Sequence, residues 1–220
     1  MSAVPASPPR SWAEIDLTAL RHNLKAIRDL DSQQVMAVVK ASAYGHGLET
    51  VAQTLEKDGI AFFGVANVGE ARRLAHTGIR TPIYLLGGTF PAEREEVVAH
   101  RWLPCLNTIE EAQHFDQLAR SRGTIVEAHL TVDTGMGRGG FLPSDTHSAL
   151  STIRALPGLK ITGIGSHLPC ADEDKEFTVQ QFDSFDALVE SLPLREAVSY
   201  THLRAHETGR NLVCRLLLEK

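Results

Sequence analysis

Apolar residues follow two alternating patterns along the chain. Short apolar runs without polar–apolar alternation predict strands buried on both faces, as in a parallel sheet covered by helices. Between these runs, apolar residues recur every three or four positions, which predicts amphipathic helices. The predicted strands are Val35–Val39, Phe62–Ala66, Ile83–Leu86, Trp102–Leu106, Val126–Val132 and Ile161–Gly165. The predicted helices lie near 17–27, 49–57, 68–77, 92–100, 108–121, 144–155 and 178–192, the last with Thr178 as its N-cap.

Six strand–helix units in a row indicate an α/β fold, either a doubly wound sheet or a barrel. A dinucleotide-binding sheet would carry GxGxxG after its first strand. Residues 40–47 read KASAYGHG at that point, so the pattern favours a TIM-type (β/α)8 barrel. A complete barrel typically takes about 250 residues. Because the pattern stops after six of eight strands in a chain of 220 residues, the predicted barrel is incomplete.

Three regions of the chain differ in composition. Residues 1–11 contain three prolines and predict a flexible tail. Residues 12–197 carry the strand–helix pattern of the partial barrel. Residues 198–220 are net positive in an acidic chain, and no seventh strand is predicted in them. We therefore interpret this last segment as unrelated to the barrel and artefactual, and we expect the chain to be the N-terminal part of a larger protein.

Composition restricts the class of protein further. With a net charge of -5 and 43% apolar residues, the chain resembles an ordinary globular protein. Mild acidity argues against nucleic acid and anionic membranes as partners. No apolar run is long enough for a membrane span, and the N-terminus lacks a signal-peptide core. The three cysteines are widely separated, which argues against a disulfide scaffold or a metal site and favours the cytoplasm.

The first strand ends in residues that can carry chemistry. Strand ends of α/β barrels meet at the active-site face, and Lys40 directly follows the strand. Desolvation at an apolar strand mouth can make a lysine amine nucleophilic, whereas the alternative is a lysine that merely marks where the strand reaches the surface. Tyr44 can donate to an anion, which Gly45 and Gly47 allow close to the backbone. His46 is equally compatible with a structural role.

The fifth and sixth strands end in further candidates. Arg138 stands in a glycine-rich segment, where its guanidinium can pair in a bidentate manner with a carboxylate or phenolate. The alternative is an ion pair with Asp133 that fixes the loop. His167 follows the sixth strand, where a neutral imidazole can stack on a flat ring or act as a base. The alternative there is a hydrogen-bonded core histidine.

Taken in order, these segments resemble the N-terminal barrel of alanine racemase, a pyridoxal-phosphate (PLP) enzyme. The similarity extends from about residue 13 to about residue 192, and the spacing of AVVKxxAYGHG makes it specific. The segments that carry it are WAEIDLTALRHNL (12–24), AVVKASAYGHG (37–47), FGVANVGEARRL (63–74), VDTGMGRGG (132–140) and His167 followed by ADE (171–173).

The resemblance implies PLP as the cofactor and a role for each strand-end residue. Lys40 would hold PLP covalently and act as one of two bases on the substrate Cα, and Tyr44 would bind the cofactor phosphate. Arg138 would contact the PLP phenolate oxygen and lie close to the substrate carboxylate, and His167 would lie against the pyridine ring. In the family, the second base is a tyrosine from the C-terminal β domain of the partner subunit. A homodimer is therefore expected for the full-length parent.

Two positions depart from the pattern of the family. Thr131 stands where the family often has a lysine, commonly carbamylated, that orients the arginine seven residues later. Support for Arg138 must therefore come from elsewhere. Ser42 stands where asparagine or aspartate is commoner, which is a mild change.

The leading interpretation is a fragment of an alanine racemase, which interconverts L- and D-alanine for bacterial peptidoglycan. The 220 residues are expected to be inactive alone, because the second base is missing from them. A racemase of another amino acid, such as serine or a basic amino acid, is one alternative on the same fold. A non-enzymatic PLP-binding homeostasis protein is the other, although such proteins lack the YGHG turn after the lysine.

Overall fold

Six parallel strands, each followed by a helix, form most of a barrel in the computed structural model. The structure describes residues 13–30, 34–171, 173–192, 199–202 and 214–219. The predicted tail, residues 1–11, lies outside the described residues. The six strands are β1 (Gln34–Val38), β2 (Phe62–Val65), β3 (Ile83–Leu85), β4 (Leu103–Leu106), β5 (Val126–Thr131) and β6 (Leu159–Gly165).

The helices cover the outside of this sheet. Helix α1 (Leu17–Leu30) precedes the first strand, and a single helical turn, α2 (Lys40–Tyr44), follows it. The remaining helices are α3 (Leu48–Lys57), α4 (Val68–Ala75), α5 (Arg94–His100), α6 (Ile109–Ser121), α7 (Pro143–Arg154) and α8 (Lys175–Ser191). These bounds confirm the predicted α/β order of strands and helices, with shifts of a few residues at the ends.

Each of the six strands pairs in parallel with the next one along the chain. Val38 of β1 pairs with Gly64 of β2, and Cys105 of β4 pairs with His129 of β5. Burial on both faces explains why β1 is apolar without alternation, since four of its five residues are buried. β5 and β6 are less buried and carry the exposed pair Glu127 and Lys160. The prediction of six parallel strands of a TIM-type barrel is confirmed.

Two further strands, β7 (Ser199–His202) and β8 (Cys214–Glu219), were not predicted. The prediction that no strand follows the sixth unit is therefore wrong. β7 runs parallel to β6, whereas β8 runs antiparallel to both β7 and β1 and thereby closes the ring. A regular (β/α)8 barrel contains parallel strands alone, so the closure differs from that fold. The assignment of residues 198–220 to a segment foreign to the barrel stays a prediction.

Helix α8 begins earlier than predicted. Its N-cap is Asp174, whose Oδ1 accepts the backbone N–H of Phe177 at 2.9 Å. Thr178, the predicted cap, lies inside the first turn and donates its hydroxyl to the Asp174 carbonyl oxygen at 2.7 Å. Both residue types are good caps, so the pattern alone did not separate them. Thr108 caps α6, since its hydroxyl accepts the backbone N–H of Glu111 at 3.1 Å.

The barrel interior contains a buried histidine. His129 is 2% exposed, and its ring lies 5.0 Å from the ring of Tyr84. Gly163, on the neighbouring strand, provides the space for this ring, because a Cβ there would stand 2.6 Å from the imidazole. Within the described residues, His129 Nδ1 has no hydrogen-bond partner. Burial therefore lowers the pKa of His129 to about 4, against a small raising effect of Glu127.

In the described part of the chain, no helix is both long enough and apolar enough to cross a membrane.

The buried histidine predicts loss of stability in mild acid. In the unfolded chain His129 takes up a proton near pH 6.5, whereas in the folded chain it resists protonation down to about pH 4. The free energy of unfolding should thus fall by up to about 3 kcal/mol as the pH falls from 6.5 to 4. Denaturant unfolding at several pH values measures this, and His129→Gln should flatten the dependence over that window.

The matched control is His22→Gln, which removes a histidine from the exposed surface of α1. This variant should keep the pH dependence of the original chain. If His129→Gln left the slope between pH 6.5 and 4 unchanged, the buried imidazole would not be its source.

Candidate active site

Lys40 stands where the first strand leaves the barrel. It follows Val39, which is 1% exposed, and is itself half-buried at the carboxyl end of the sheet. Its Nζ lies 5.9 Å from the centroid of the Tyr44 ring, one helical turn later. Tyr44 is 40% exposed. The structure therefore brings a lysine amine and a tyrosine ring together at this strand end.

The turn that connects Lys40 to Tyr44 has an unusual backbone. Residues 41–44 all have positive φ, between 50° and 57°, although none of them is glycine. Such a conformation costs roughly 1–2 kcal/mol for each non-glycine residue. Strained backbone of this kind clusters at functional sites, where the surrounding structure holds it in place. The predicted glycines continue the left-handed path, with φ of 86° at Gly45 and 91° at Gly47.

His46 serves the turn structurally. Its Nδ1 lies 2.8 Å from the carbonyl oxygen of Ala43, so with a proton on Nδ1 the ring donates to the backbone. The backbone N–H of Gly47 donates to the Ser42 carbonyl oxygen at 2.9 Å. Of the two interpretations of His46, this contact favours the structural one.

Arg138 lies in the loop after β5. Asp133, in the same loop, accepts hydrogen bonds from the loop backbone. Asp133 Oδ1 accepts the backbone N–H groups of Gly135 at 2.9 Å and Gly137 at 3.0 Å. No ion pair joins Asp133 to Arg138 among the described residues, so the carboxylate fixes the loop through its backbone. Burial raises the pKa of Asp133, but the backbone N–H groups that face it lower the pKa by more. The carboxylate is therefore ionised at neutral pH.

A cavity of about 520 Å³ opens beside this loop at the carboxyl ends of the strands. Arg138 and His167 both line it, which brings these two predicted residues together. Lys40 and Tyr44 form a second pair at the same end of the barrel, outside the lining of this cavity. Gly140 allows the loop to approach β5, because a Cβ there would stand 2.8 Å from the Thr131 carbonyl oxygen.

Thr131 also lines the cavity, at the position where a lysine was expected from the resemblance. Its Oγ1 is buried and has no hydrogen-bond partner in the described part of the chain. Asp133 holds the backbone of the Arg138 loop, through Gly135 and Gly137. What orients the Arg138 side chain in place of the lysine stays a prediction.

Gln181 of α8, which the sequence analysis missed, ties the loops after β5 and β6 together. Its Nε2 donates to Thr134 Oγ1 at 3.2 Å and to the His167 carbonyl oxygen at 3.4 Å. Thr134 and Ser166 share a hydrogen bond of 2.7 Å between their hydroxyls. Gln181 is 1% exposed. Its position on the buried face of a predicted helix could have identified it as a residue with a buried polar partner. A buried polar side chain needs a hydrogen-bond partner, and here the partners are Thr134 and His167 in the loops of the site.

Arg94 and Glu111 also line the cavity and were missed by the sequence analysis. Glu111 is 4% exposed and accepts the Thr89 hydroxyl at 2.9 Å. Arg94 donates to the Thr89 carbonyl oxygen at 3.0 Å and lies 4.0 Å from the Glu111 carboxylate. This cluster fixes the loop after β3, so the cavity has a rigid, polar wall on that side.

Comparison with known proteins identifies the family. The family model for the alanine racemase N-terminal domain matches residues 15–208. The alanine racemase of Desulforamulus reducens is 39% identical over 178 residues, which are 79% of this chain and 48% of that protein. The chain thus spans about half the length of the curated relatives it matches.

Solved structures give the same result. The alanine racemase of Clostridium difficile 630 superposes with a TM-score of 0.82 at 32% identity, over 87% of this chain and 54% of that one. A histidine racemase from Leuconostoc mesenteroides gives a TM-score of 0.76 at 26% identity, over 84% of this chain and 51% of that one. The polar residues at the strand ends, the barrel and the family model all agree. The chain belongs to the alanine racemase family, of which it contains the N-terminal domain.

Proposed function

We propose that the chain forms the PLP-binding part of an alanine racemase, which interconverts L- and D-alanine. The observation that carries this proposal is Lys40 at the mouth of β1, on a left-handed turn that also carries Tyr44, in a chain of this family. D-Alanine made in this way would serve peptidoglycan synthesis in the bacterial cytoplasm.

Three features support PLP as the cofactor. A half-buried primary amine, that of Lys40, can bond to an aldehyde. The exposed phenol of Tyr44 and the loop around Gly45 can receive a phosphate group. The cavity at the same end of the barrel has a guanidinium and an imidazole in its wall, from Arg138 and His167. These groups suit a flat, anionic ring, so the residues present fit the cofactor.

Each residue then has a defined task. When bound, PLP withdraws electrons from the substrate Cα and makes its proton acidic. In one direction of the reaction the Lys40 amine would take this proton from one face of the Cα, and in the reverse direction it would deliver a proton to that face. Arg138 would pair with the cofactor phenolate and lie close to the substrate carboxylate, and His167 would lie against the cofactor ring. Asp133 and Gln181 keep the two loops of these residues in place.

Racemisation needs a second base on the opposite face of the Cα. Among the described side chains, Tyr84 lies buried inside the barrel and Tyr44 stands next to Lys40, so neither faces Lys40 across a substrate. We propose that the second base is a tyrosine of a C-terminal β domain, contributed by the partner subunit of a homodimer. The match covers 48% of the Desulforamulus reducens relative, so the rest of that protein leaves room for such a domain.

A racemase of a different amino acid is the second candidate. The histidine racemase from Leuconostoc mesenteroides supports it, because that protein has a similar barrel and is named for a different amino acid. Product analysis with several amino acids on a protein of full family length separates the two candidates.

Covalent labelling tests the cofactor proposal on the 220-residue chain. After incubation with PLP and borohydride reduction, peptide mapping should find the label on Lys40, since its amine stands at the strand mouth. Lys40→Ala should abolish the specific label. Lys160→Ala is the matched control, because Lys160 is exposed and paired with Glu127 at 2.7 Å on β5 and β6; it should label like the original chain. Label on another lysine, or on none, contradicts the proposal.

Racemisation by the same chain tests the need for a second base. The loss of one general base lowers a rate by about 10²–10⁴-fold. The purified 220-residue chain with PLP should therefore convert L-alanine to D-alanine at least about 100-fold more slowly than a family enzyme of full length. Chiral chromatography measures the product, with Lys40→Ala as the background. A rate equal to that of the full-length enzyme would show that the second base lies within these residues.

A further inference from the structure

We propose that Glu70 is a positioning residue for Lys40, which goes beyond the proposed function and rests on it. Glu70 belongs to the second strand–helix unit, and its carboxylate reaches the turn of the first. Its Oε1 accepts the backbone N–H of Ala41 at 2.7 Å, and its Oε2 accepts the backbone N–H of Ala66 at 2.8 Å. One side chain thus joins the end of β1 to the end of β2.

The residue held in this way is the one directly after Lys40. Ala41 begins the run of four left-handed residues, with φ of 50°. Several hydrogen bonds of the turn are local, such as that from the Ala43 N–H to the Val39 carbonyl oxygen at 2.8 Å. Local bonds shape the turn, but they do not set its place relative to the neighbouring strand. The bond from the Val39 N–H to the Gly64 carbonyl oxygen of β2, at 2.8 Å, ties the turn to that strand on one side of Lys40. The Glu70 contact does so on the other side, at Ala41.

Glu70 is itself well fixed. Its backbone N–H donates to Oδ1 of Asn67, the N-cap of α4, at 3.0 Å. The apolar face of α4 is buried through Val68, Ala71 and Leu74. The carboxylate stands in the first turn of this helix, where exposed N–H groups favour a negative charge. A rigid support of this kind can hold the turn after β1, which a flexible surface side chain could not.

A glutamate that joins two neighbouring strand ends also occurs two strands later in the barrel. Glu111 is the third residue of α6, as Glu70 is the third residue of α4. Its Oε2 accepts the N–H of Asn107 at the end of β4 at 3.0 Å, and its Oε1 accepts the N–H of Thr89 after β3 at 3.1 Å. Each carboxylate therefore binds its own strand end and the loop of the preceding strand. The repetition shows that the barrel uses this contact to fix loops at its mouth.

The test compares PLP binding by Glu70→Ala, Glu70→Gln and the original 220-residue chain. Loss of the carboxylate frees the Ala41 N–H, so Glu70→Ala should weaken PLP binding at Lys40 by about ten-fold. Glu70→Gln keeps one acceptor oxygen and should have an intermediate effect. PLP titration, with borohydride mapping of Lys40 at each concentration, measures the affinity at a temperature well below unfolding.

Glu56→Ala is the matched control. Glu56 accepts the N–H groups of Arg80 at 2.7 Å and Thr81 at 2.9 Å, before β3 at the opposite end of the barrel. Like Glu70→Ala, the Glu56→Ala variant removes a carboxylate that accepts two backbone N–H groups. It should therefore reduce stability in urea without changing PLP affinity. If Glu70→Ala and Glu56→Ala lowered both properties alike, Glu70 would have a general structural role and the proposal would fall.

Hydrogen exchange separates the failure of this proposal from the failure of the proposed function. Without PLP, Glu70→Ala should speed amide exchange of residues 41–45 at least five-fold, whereas Glu56→Ala should leave it unchanged. Unchanged exchange in Glu70→Ala would overturn the proposal, whether or not PLP binds.

If the original chain takes no PLP on Lys40, the proposed function fails. The exchange rates of residues 41–45 then still decide whether Glu70 holds the turn. If the original chain labels normally and Glu70→Ala keeps the same affinity, only the role of Glu70 is rejected.

Discussion

Parallel pairing of the first six strands is the constraint on which the site depends. Because these strands run in the same direction, all of their carboxyl ends meet at one end of the barrel. Lys40, Arg138 and His167 are far apart in sequence, yet each follows a strand and so reaches the same face. β1 to β4 are largely buried and apolar, and the polar residues of the site stand in the loops after the strands. Chemistry and stability are thereby assigned to different parts of each unit.

Carboxylates that accept backbone N–H groups turn this face into a fixed surface. Glu70 and Glu111 each join two neighbouring strand ends, and Asp133 holds the glycine-rich loop after β5. An ionised acceptor makes a stronger hydrogen bond than a neutral one, so a single side chain can hold a loop that is rich in glycine or strained. The left-handed turn after Lys40 needs such support because its residues have side chains that disfavour positive φ.

The sequence predicted those features that local pattern controls. Apolar runs predicted β1 to β4, whose residues are almost all apolar and mostly buried. In β5 and β6 the apolar residues still marked the strands, although these strands also carry polar residues such as Glu127 and Lys160. Lys40 and the other strand-end residues were found from their place after a strand. The left-handed path of residues 41–44 was not predictable, since alanine and serine do not favour it and a distant contact from Glu70 supports it. The role of Gln181 was missed for a similar reason, since its partners lie in two loops far away in sequence.

The last two strands show how direction determines what a strand can contribute. β8 follows β7 after residues 203–213, which is shorter than the connection of a dozen or more residues that a parallel crossover usually takes. An antiparallel return is the pairing that a short connection allows, and β8 runs in that direction. Its carboxyl end therefore points away from the face where Lys40 and Arg138 lie. β8 therefore closes the ring without adding a carboxyl strand end to the face of the site.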